Sequence, residues 1–164
     1  MVTVHMNVFD TPAGLLRQAI ESIRSQTLRN FEFLIIDDGS QYPRTLAELK
    51  RQAAADSRIR LEMNPHAGVS RALNRGLALA ARSLIARQDA DDWSEPERLE
   101  RQVAFLAEHP QLAVCGSNAW THRHDGRRLW PTRLPQTSEQ IRAACWRQNP
   151  FVHGSTMFRA AAAR

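Results

Sequence analysis

Phe31-Glu32-Phe33-Leu34-Ile35-Ile36-Asp37-Asp38-Gly39-Ser40 begins as an almost unbroken apolar run and ends in turn-forming residues. A run of this kind is expected of a strand covered on both faces, with Asp and Gly opening a turn at its carboxyl end. Strands buried on both sides belong to parallel sheets, and parallel sheets need crossover helices. The flanking sequence should therefore alternate between strand and helix periods.

Upstream, Val2, Val4, Met6 and Val8 alternate with Thr3, His5 and Asn7 as a first strand. Leu15, Leu16, Ala19, Ile20 and Ile23 then share a helical face that ends near Thr27, with Thr11 as the expected cap and Pro12 in the first turn. Downstream, a helix is predicted over residues 44–55, a strand over 59–63, a helix lined by Val69, Ala72, Leu73, Gly76, Leu77 and Ala80, and a fourth strand over 83–88. Ser94-Glu95-Pro96-Glu97 reads as a helix start with a capping serine, and that helix ends at His109-Pro110. A fifth strand is expected over 112–117, a turn at Asp125-Gly126, a capping box at Thr137-Ser138-Glu139-Gln140 and a strand-like segment over 151–158. The alternation predicts an α/β fold, a Rossmann-like, mostly parallel sheet with helices on both faces.

The chain has 164 residues and is 43% hydrophobic, enough for one sizeable core, so a single domain is the default expectation. A net charge of +5, carried mostly by scattered arginines, favours anionic partners without choosing among nucleic acid, an acidic membrane surface and a diphosphate. A purely solvated surface fits it as well. Cys115, in the apolar run Leu112-Ala113-Val114, reads as a packed thiol, and two cysteines without metal-like spacing suit a reducing compartment. The N-terminal residues show no secretory signal pattern and no window is long and apolar enough for a membrane span, so a cytoplasmic location with at most peripheral membrane contact is expected.

In an open α/β sheet, ligands sit beyond the carboxyl ends of the strands. The polar departures fall there: Asp10 after the first strand, Asp37 and Asp38 after the second, and Asp89-Ala90-Asp91-Asp92 after the fourth. Asp89 and Asp91 are two residues apart and leave one side of an extended segment. Three carboxylates within four residues repel one another, and a hard cation, Mg²⁺ or Mn²⁺, would relieve that repulsion while drawing further oxygens from phosphates. An acidic turn that merely caps the next helix is the competing reading, and for Asp37-Asp38-Gly39-Ser40 an ordinary turn competes on even terms. A phosphoacceptor signalling domain would place its acidic pair after the first strand and would use a lysine that Lys50, the only one, does not fit.

The residues 31–40, together with Ile85-Ala86-Arg87-Gln88-Asp89-Ala90-Asp91-Asp92 and Pro96-Glu97-Arg98-Leu99, strongly resemble family 2 glycosyltransferases of GT-A fold. The resemblance runs from Val2 to about Arg159 and includes Ala19-Ile20-Glu21-Ser22-Ile23, Ser25-Gln26-Thr27, Asn74-Arg75-Gly76 and His153-Gly154-Ser155-Thr156-Met157-Phe158-Arg159. It implies a single nucleotide-sugar-binding domain over residues 1–164, incomplete at its carboxyl end, that binds a nucleotide-diphosphate sugar, a UDP-sugar foremost, through Val8, Phe9, Asp37, Asp38, Asn74, Asp89 and Asp91. In that comparison Phe9 packs on the base, Asp38 meets the base edge and Asp37 supports its loop. Asp91 is the metal ligand for Mn²⁺ or Mg²⁺, Asp89 is its partner, and Asp92 is a weaker candidate. The implied reaction is inverting transfer to an acceptor hydroxyl on a glycan or lipid-linked acceptor, in polysaccharide, lipopolysaccharide or other cell-envelope glycan synthesis, at the inner face of the plasma membrane.

Family members continue past the His153 segment to an acidic pair that supplies the catalytic base, so the base is expected beyond Arg164. Without it, a non-catalytic nucleotide-sugar-binding fragment is the alternative reading. Nucleic-acid binding would rest on charge alone and is not expected. Asp10 stands where the family commonly has asparagine and would weaken anion binding if it pointed inward. His66 and His153 are rim candidates for phosphate, with a structural or exposed role the commoner outcome for a lone histidine. Arg98 and Gln102 lie one helical turn apart, and Arg98 is expected to make a structural salt bridge or cap behind the aspartate loop. Trp120, Trp130 and Trp146, interleaved with Arg123, Arg127, Arg128, Arg133 and Arg147, are expected either to contact the acceptor or to pack beneath a basic surface.

Overall fold

The computed structural model describes residues 1–123 and 127–163. Among the described residues eight strands and five α-helices are formed, alternating from the first strand to the fourth helix as the sequence periods require. They are β1 (Val2–Val8), α1 (Ala13–Arg24), β2 (Phe31–Asp37), α2 (Pro43–Ala55), β3 (Ile59–Met63), α3 (Val69–Leu79), β4 (Leu84–Asp89), α4 (Arg98–Glu108), β5 (Val114–Cys115), β6 (Trp120–His122), β7 (Arg128–Pro131), α5 (Ser138–Ala144) and β8 (Met157–Arg159).

Six strands form one sheet in the order β3-β2-β1-β4-β8-β5, and β6 and β7 pair as a separate hairpin. β1, β2, β3 and β4 run parallel, and β8 lies antiparallel between β4 and β5. The chain winds outward from β1 through β2 to β3, then returns to place β4 on the other side of β1. Right-handed crossovers in opposite directions must use opposite faces of a sheet. Accordingly Val2, Val4, Met6 and Val8 join Leu16, Ile20, Ile23, Leu49, Leu99 and Leu106 of α1, α2 and α4 in the main core. On the other face Leu34 and Ile36 pack with Ala72 of α3. Helices thus cover both faces, as the alternation predicts.

Several local expectations are corrected. Helix α1 is headed by Pro12, with no side-chain cap from Thr11. Helix α4 begins only at Arg98, because the Ser94 hydroxyl bonds Gln88 and Arg98 instead of capping. The expected fifth strand shrinks to Val114–Cys115, and the segment over 151–158 divides into a 3-10 turn at His153–Ser155 followed by β8. The Thr137 capping box is present with both of its bonds. The turn expected at Asp125-Gly126 lies outside the described residues. No helix among the described residues is long and apolar enough to cross a membrane.

Candidate active site

The switch point of the sheet, where connections leave in opposite directions, lies between β1 and β4, and the crevice beyond the strand ends there is the general ligand position of such folds. In register, Val8 of β1 lies opposite Asp37 of β2, and Asn7 of β1 lies opposite Asp89 of β4. The loops after β1, β2 and β4 are therefore brought to one edge within three adjacent strands, about 4.8 Å apart each.

The loop after β2 is strongly specified. Asp37 is buried, its Oδ2 accepts the Ser40 N–H at 3.2 Å, and its Oδ1 has no partner among the described residues. Asp38 is buried too, and its N–H donates to the Val8 carbonyl. Its Oδ1 accepts from the Ala67 N–H at 3.0 Å and its Oδ2 from the Gly68 N–H at 2.9 Å. Two backbone donors on one carboxylate tie the loop after β2 to the start of α3. Val8 is 1% exposed with its side chain in the main core, so only its backbone reaches this edge. Phe9 is 49% exposed beside it.

Asp10 does not point into the crevice. It takes a left-handed backbone conformation with φ 47°, which aspartate tolerates, and its Oδ1 accepts the Gln41 and Tyr42 N–H groups at 2.6 and 2.9 Å. Those donors lie just before α2, so Asp10 ties the loop after β1 to the segment that leads into that helix. Asn74 is exposed on α3. Beside it, Asp38, Asn64, His66, Arg71 and Arg75 line a groove of about 430 Å³.

The loop after β4 holds the carboxylate cluster. Asp91 and Asp92 are exposed, and the Asp89 side chain is about a third exposed. Partial desolvation of the carboxyl by the surrounding loop, then the charges of Asp91 and Asp89, raise Asp92 above its ordinary range. Among the described residues no three His, Cys, Asp or Glu side chains form a ready-made metal cage. Asp89 is held from two sides. The buried Arg87 donates to its Oδ1 at 3.2 Å, and Gly154 of the 3-10 turn lies so close that a Cβ there would be 2.6 Å from Oδ2.

Arg98 fastens this loop from beneath. Its Nη1 donates to Gln88 Oε1 at 2.8 Å, Ser94 Oγ at 2.7 Å and the Gly154 carbonyl at 3.0 Å, its Nη2 to the Arg87 carbonyl, and its Nε to Gln102 Oε1 at 3.2 Å. Arg98 thus lies behind the acidic loop as expected, but it holds neutral oxygens instead of forming a salt bridge, and Gln102 extends the network to the Ser155 carbonyl. Arg87 and Gly154 were not singled out from the sequence, although a charge two residues before Asp89 on one strand must share its face. His153 is exposed on the 3-10 turn, while His66 stacks on Phe9.

Around the rim, Trp120, Trp130 and Trp146 are 48%, 62% and 92% exposed, so they are not packed beneath a basic surface. The Arg128 guanidinium lies over the Trp120 ring and pairs with Glu95, and Trp93 meets His122 edge-on, which lays the β6–β7 hairpin against the segment after the acidic loop. Cys115 is a buried thiol pushed up to about 11 by burial, in keeping with a packing role.

The chain matches the model of glycosyl transferase family 2 over residues 3–164, and it belongs to that family. It is 39% identical over 168 residues to the putative glycosyltransferase EpsE of Bacillus subtilis, covering 99% of this chain and 58% of that relative. It is 30% identical over 144 residues to the amylovoran biosynthesis glycosyltransferase AmsE of Erwinia amylovora, covering 88% of this chain and 54% of that one. It thus spans little more than half the length of these relatives. The mannosyltransferase PcManGT from Pyrobaculum calidifontis, solved in complex with GDP-Man and Mn²⁺, superposes with a TM-score of 0.69 at 19% identity, over 96% of this chain and 44% of that one. At that identity the likeness concerns the fold, which is GT-A.

Proposed function

We propose that this domain holds the donor for an inverting glycosyltransferase, one that passes a sugar from a nucleotide-diphosphate sugar, a UDP-sugar foremost, to an acceptor hydroxyl. The observation that carries the reading is the convergence of the loops at Phe9, Asp37-Asp38 and Asp89-Asp92 at the switch point of the sheet. The aromatic face of Phe9 stacks the base, the Asp38 carboxylate accepts an N–H from its edge, and Asp37 holds the loop. Asp91, exposed at the mouth of the crevice, is the ligand for Mn²⁺ or Mg²⁺, and Asp89, paired to Arg87, faces the sugar or a metal-bound water. The ion supplies Lewis-acid neutralisation of the departing diphosphate. Its presence with GDP-Man in PcManGT supports this choice of cofactor and ligand.

Inversion requires a carboxylate base to take the acceptor proton. Glu139 is not that group, since it is exposed in the first turn of α5 and held below its ordinary range by a backbone N–H and by Thr137. We assign the base to chain beyond Arg164, and with it the acceptor, a glycan or lipid-linked one at the inner face of the plasma membrane. The relative named for amylovoran biosynthesis supports a biosynthetic role. A module that binds the nucleotide sugar without transferring it is the second reading, favoured by the commitment of Glu139 to its own helix.

Calorimetric titration of UDP with and without Mn²⁺, on the wild type and on Asp91→Ala, tests the donor site. Mn²⁺ should strengthen UDP binding, and Asp91→Ala should weaken it by about tenfold or more, roughly 1.4 kcal/mol. Binding indifferent to both metal and substitution would remove the proposal. Release of UDP from a UDP-sugar by the chain alone would remove the second reading.

A further inference from the structure

The base position proposed above is already occupied by the protein's own side chain. The His66 ring stacks on Phe9 with centroids 4.2 Å apart and planes 26° apart. Its Nδ1 lies 3.0 Å from Asp38 Oδ2 and 3.0 Å from the Asp38 carbonyl oxygen. Both of those atoms only accept, so Nδ1 carries the hydrogen and donates it. A flat ring on Phe9, its ring N–H donated to the Asp38 carbonyl oxygen and lying 3.0 Å from the Asp38 carboxylate, stands in the place of the two contacts through which a nucleobase would be held.

The pose is set by the backbone and not by close packing of the ring. Ala67 and Gly68 anchor the segment to Asp38, and Gly68 at φ 90° turns the chain into α3. Gly39 at φ 79° lets residue 66 approach so closely that a Cβ at position 39 would lie 2.5 Å from the His66 nitrogen. The imidazole itself is 54% exposed and borders the groove lined by Asn64, Ala67 and Arg71. Rotation of one side chain therefore vacates Phe9 and one acceptor position on Asp38 while both backbone bonds to Asp38 stay in place.

We propose that His66 is a specificity-determining residue of the donor site, an internal stand-in for the nucleobase that an incoming base must displace. This rests on the donor reading of Phe9 and Asp38. A ligand whose base both stacks and donates an N–H to Asp38 regains everything that displacement breaks. A diphosphate without a base regains neither contact and leaves His66 where it is. His66 thus discriminates among bases, disfavouring any base that cannot remake both contacts, and leaves base-free diphosphates unaffected.

The test uses ring resonances of His66 in the full chain, with Mg²⁺ as the diamagnetic ion, alongside calorimetry. In the free protein the His66 ring protons should be shifted upfield by Phe9 and should lose that shift in Phe9→Leu. UDP with Mg²⁺ should abolish it, and pyrophosphate with Mg²⁺ should not. Removing the competitor raises the fraction of binding-competent sites, so His66→Ala should bind UDP roughly three- to tenfold more tightly. Weaker UDP binding by His66→Ala, or a His66 resonance unmoved in the UDP-bound wild type, would overturn the proposal while leaving the donor site standing. UDP binding to neither protein would take down the donor reading and this one with it.

Discussion

Gly76 is where α3 comes down on the sheet, and a Cβ there would sit 1.9 Å from the Nε2 of His5. His5 is fully buried and bonded to Asn7 Oδ1 at 2.7 Å, so it has nowhere to go. Replacing glycine by alanine inside a helix ordinarily stabilises by about 0.5–1 kcal/mol, whereas forcing extra volume into a packed core costs about 1–3 kcal/mol. Gly76→Ala should therefore lower stability by about 1–2 kcal/mol in urea unfolding, and a gain would show that α3 can lift. The sequence placed Gly76 on the buried face of its helix, but the reason it must be glycine lies in His5, 71 positions away in the chain. The same limit applies to Asp10. Its type and its place after a strand were legible, while its task, holding the Gln41 and Tyr42 N–H groups, depends on where another loop passes.

At the scale of elements, β4, the acidic loop, α4 and the 3-10 turn form one unit because Arg98 bonds into all four. The planar guanidinium serves oxygens in several directions at once, which an ammonium on a flexible stem does not. Arg98→Lys should therefore cost about 3 kcal/mol in thermal or urea unfolding, because buried acceptors are left without donors, and amides over residues 89–94 should exchange faster. Unchanged exchange there would mean that the loop is held by other contacts. This network also explains why the expected helix start failed. Ser94 has the composition of a cap, yet its hydroxyl is taken by Gln88 and Arg98, and regular helix waits until Arg98. Strand and helix types were legible from periodicity, and boundaries were misread where a side chain had a better long-range partner.

For the whole molecule, the buried polar layer between the sheet and α3 makes stability depend on pH. Burial first, then the charge of Arg87, hold the His5 imidazole down to about 4, against an ordinary value of 6.5. Between those values the unfolded chain binds a proton that the folded chain refuses, so stability falls as pH drops through the window, by about 3 kcal/mol in full. Glu48, held down to about 2 chiefly by Arg51, contributes stability that is present above its ordinary 4.5 and lost only as pH falls further. Urea midpoints should thus decline already between pH 6.5 and 4.5, and His5→Asn should flatten that part of the profile while leaving the acid limb. A wild-type profile that is flat down to pH 4.5 would show that His5 accepts its proton in the fold.

The sequence by itself determined the α/β class, the order of the main elements and the three acidic loops, because apolar period and turn chemistry are local and strand ends are where such folds expose polar residues. It also singled out Asp38 and Asp91 through their setting in spaced motifs. Only the tertiary structure decided that Asp10 faces the start of α2, that Arg87 and Gly154 grip Asp89, and that His66 lies on Phe9 and Asp38. Each of those facts depends on how strands meet in register and how loops from different crossovers pass one another at the switch point, and no window of contiguous residues encodes that distance.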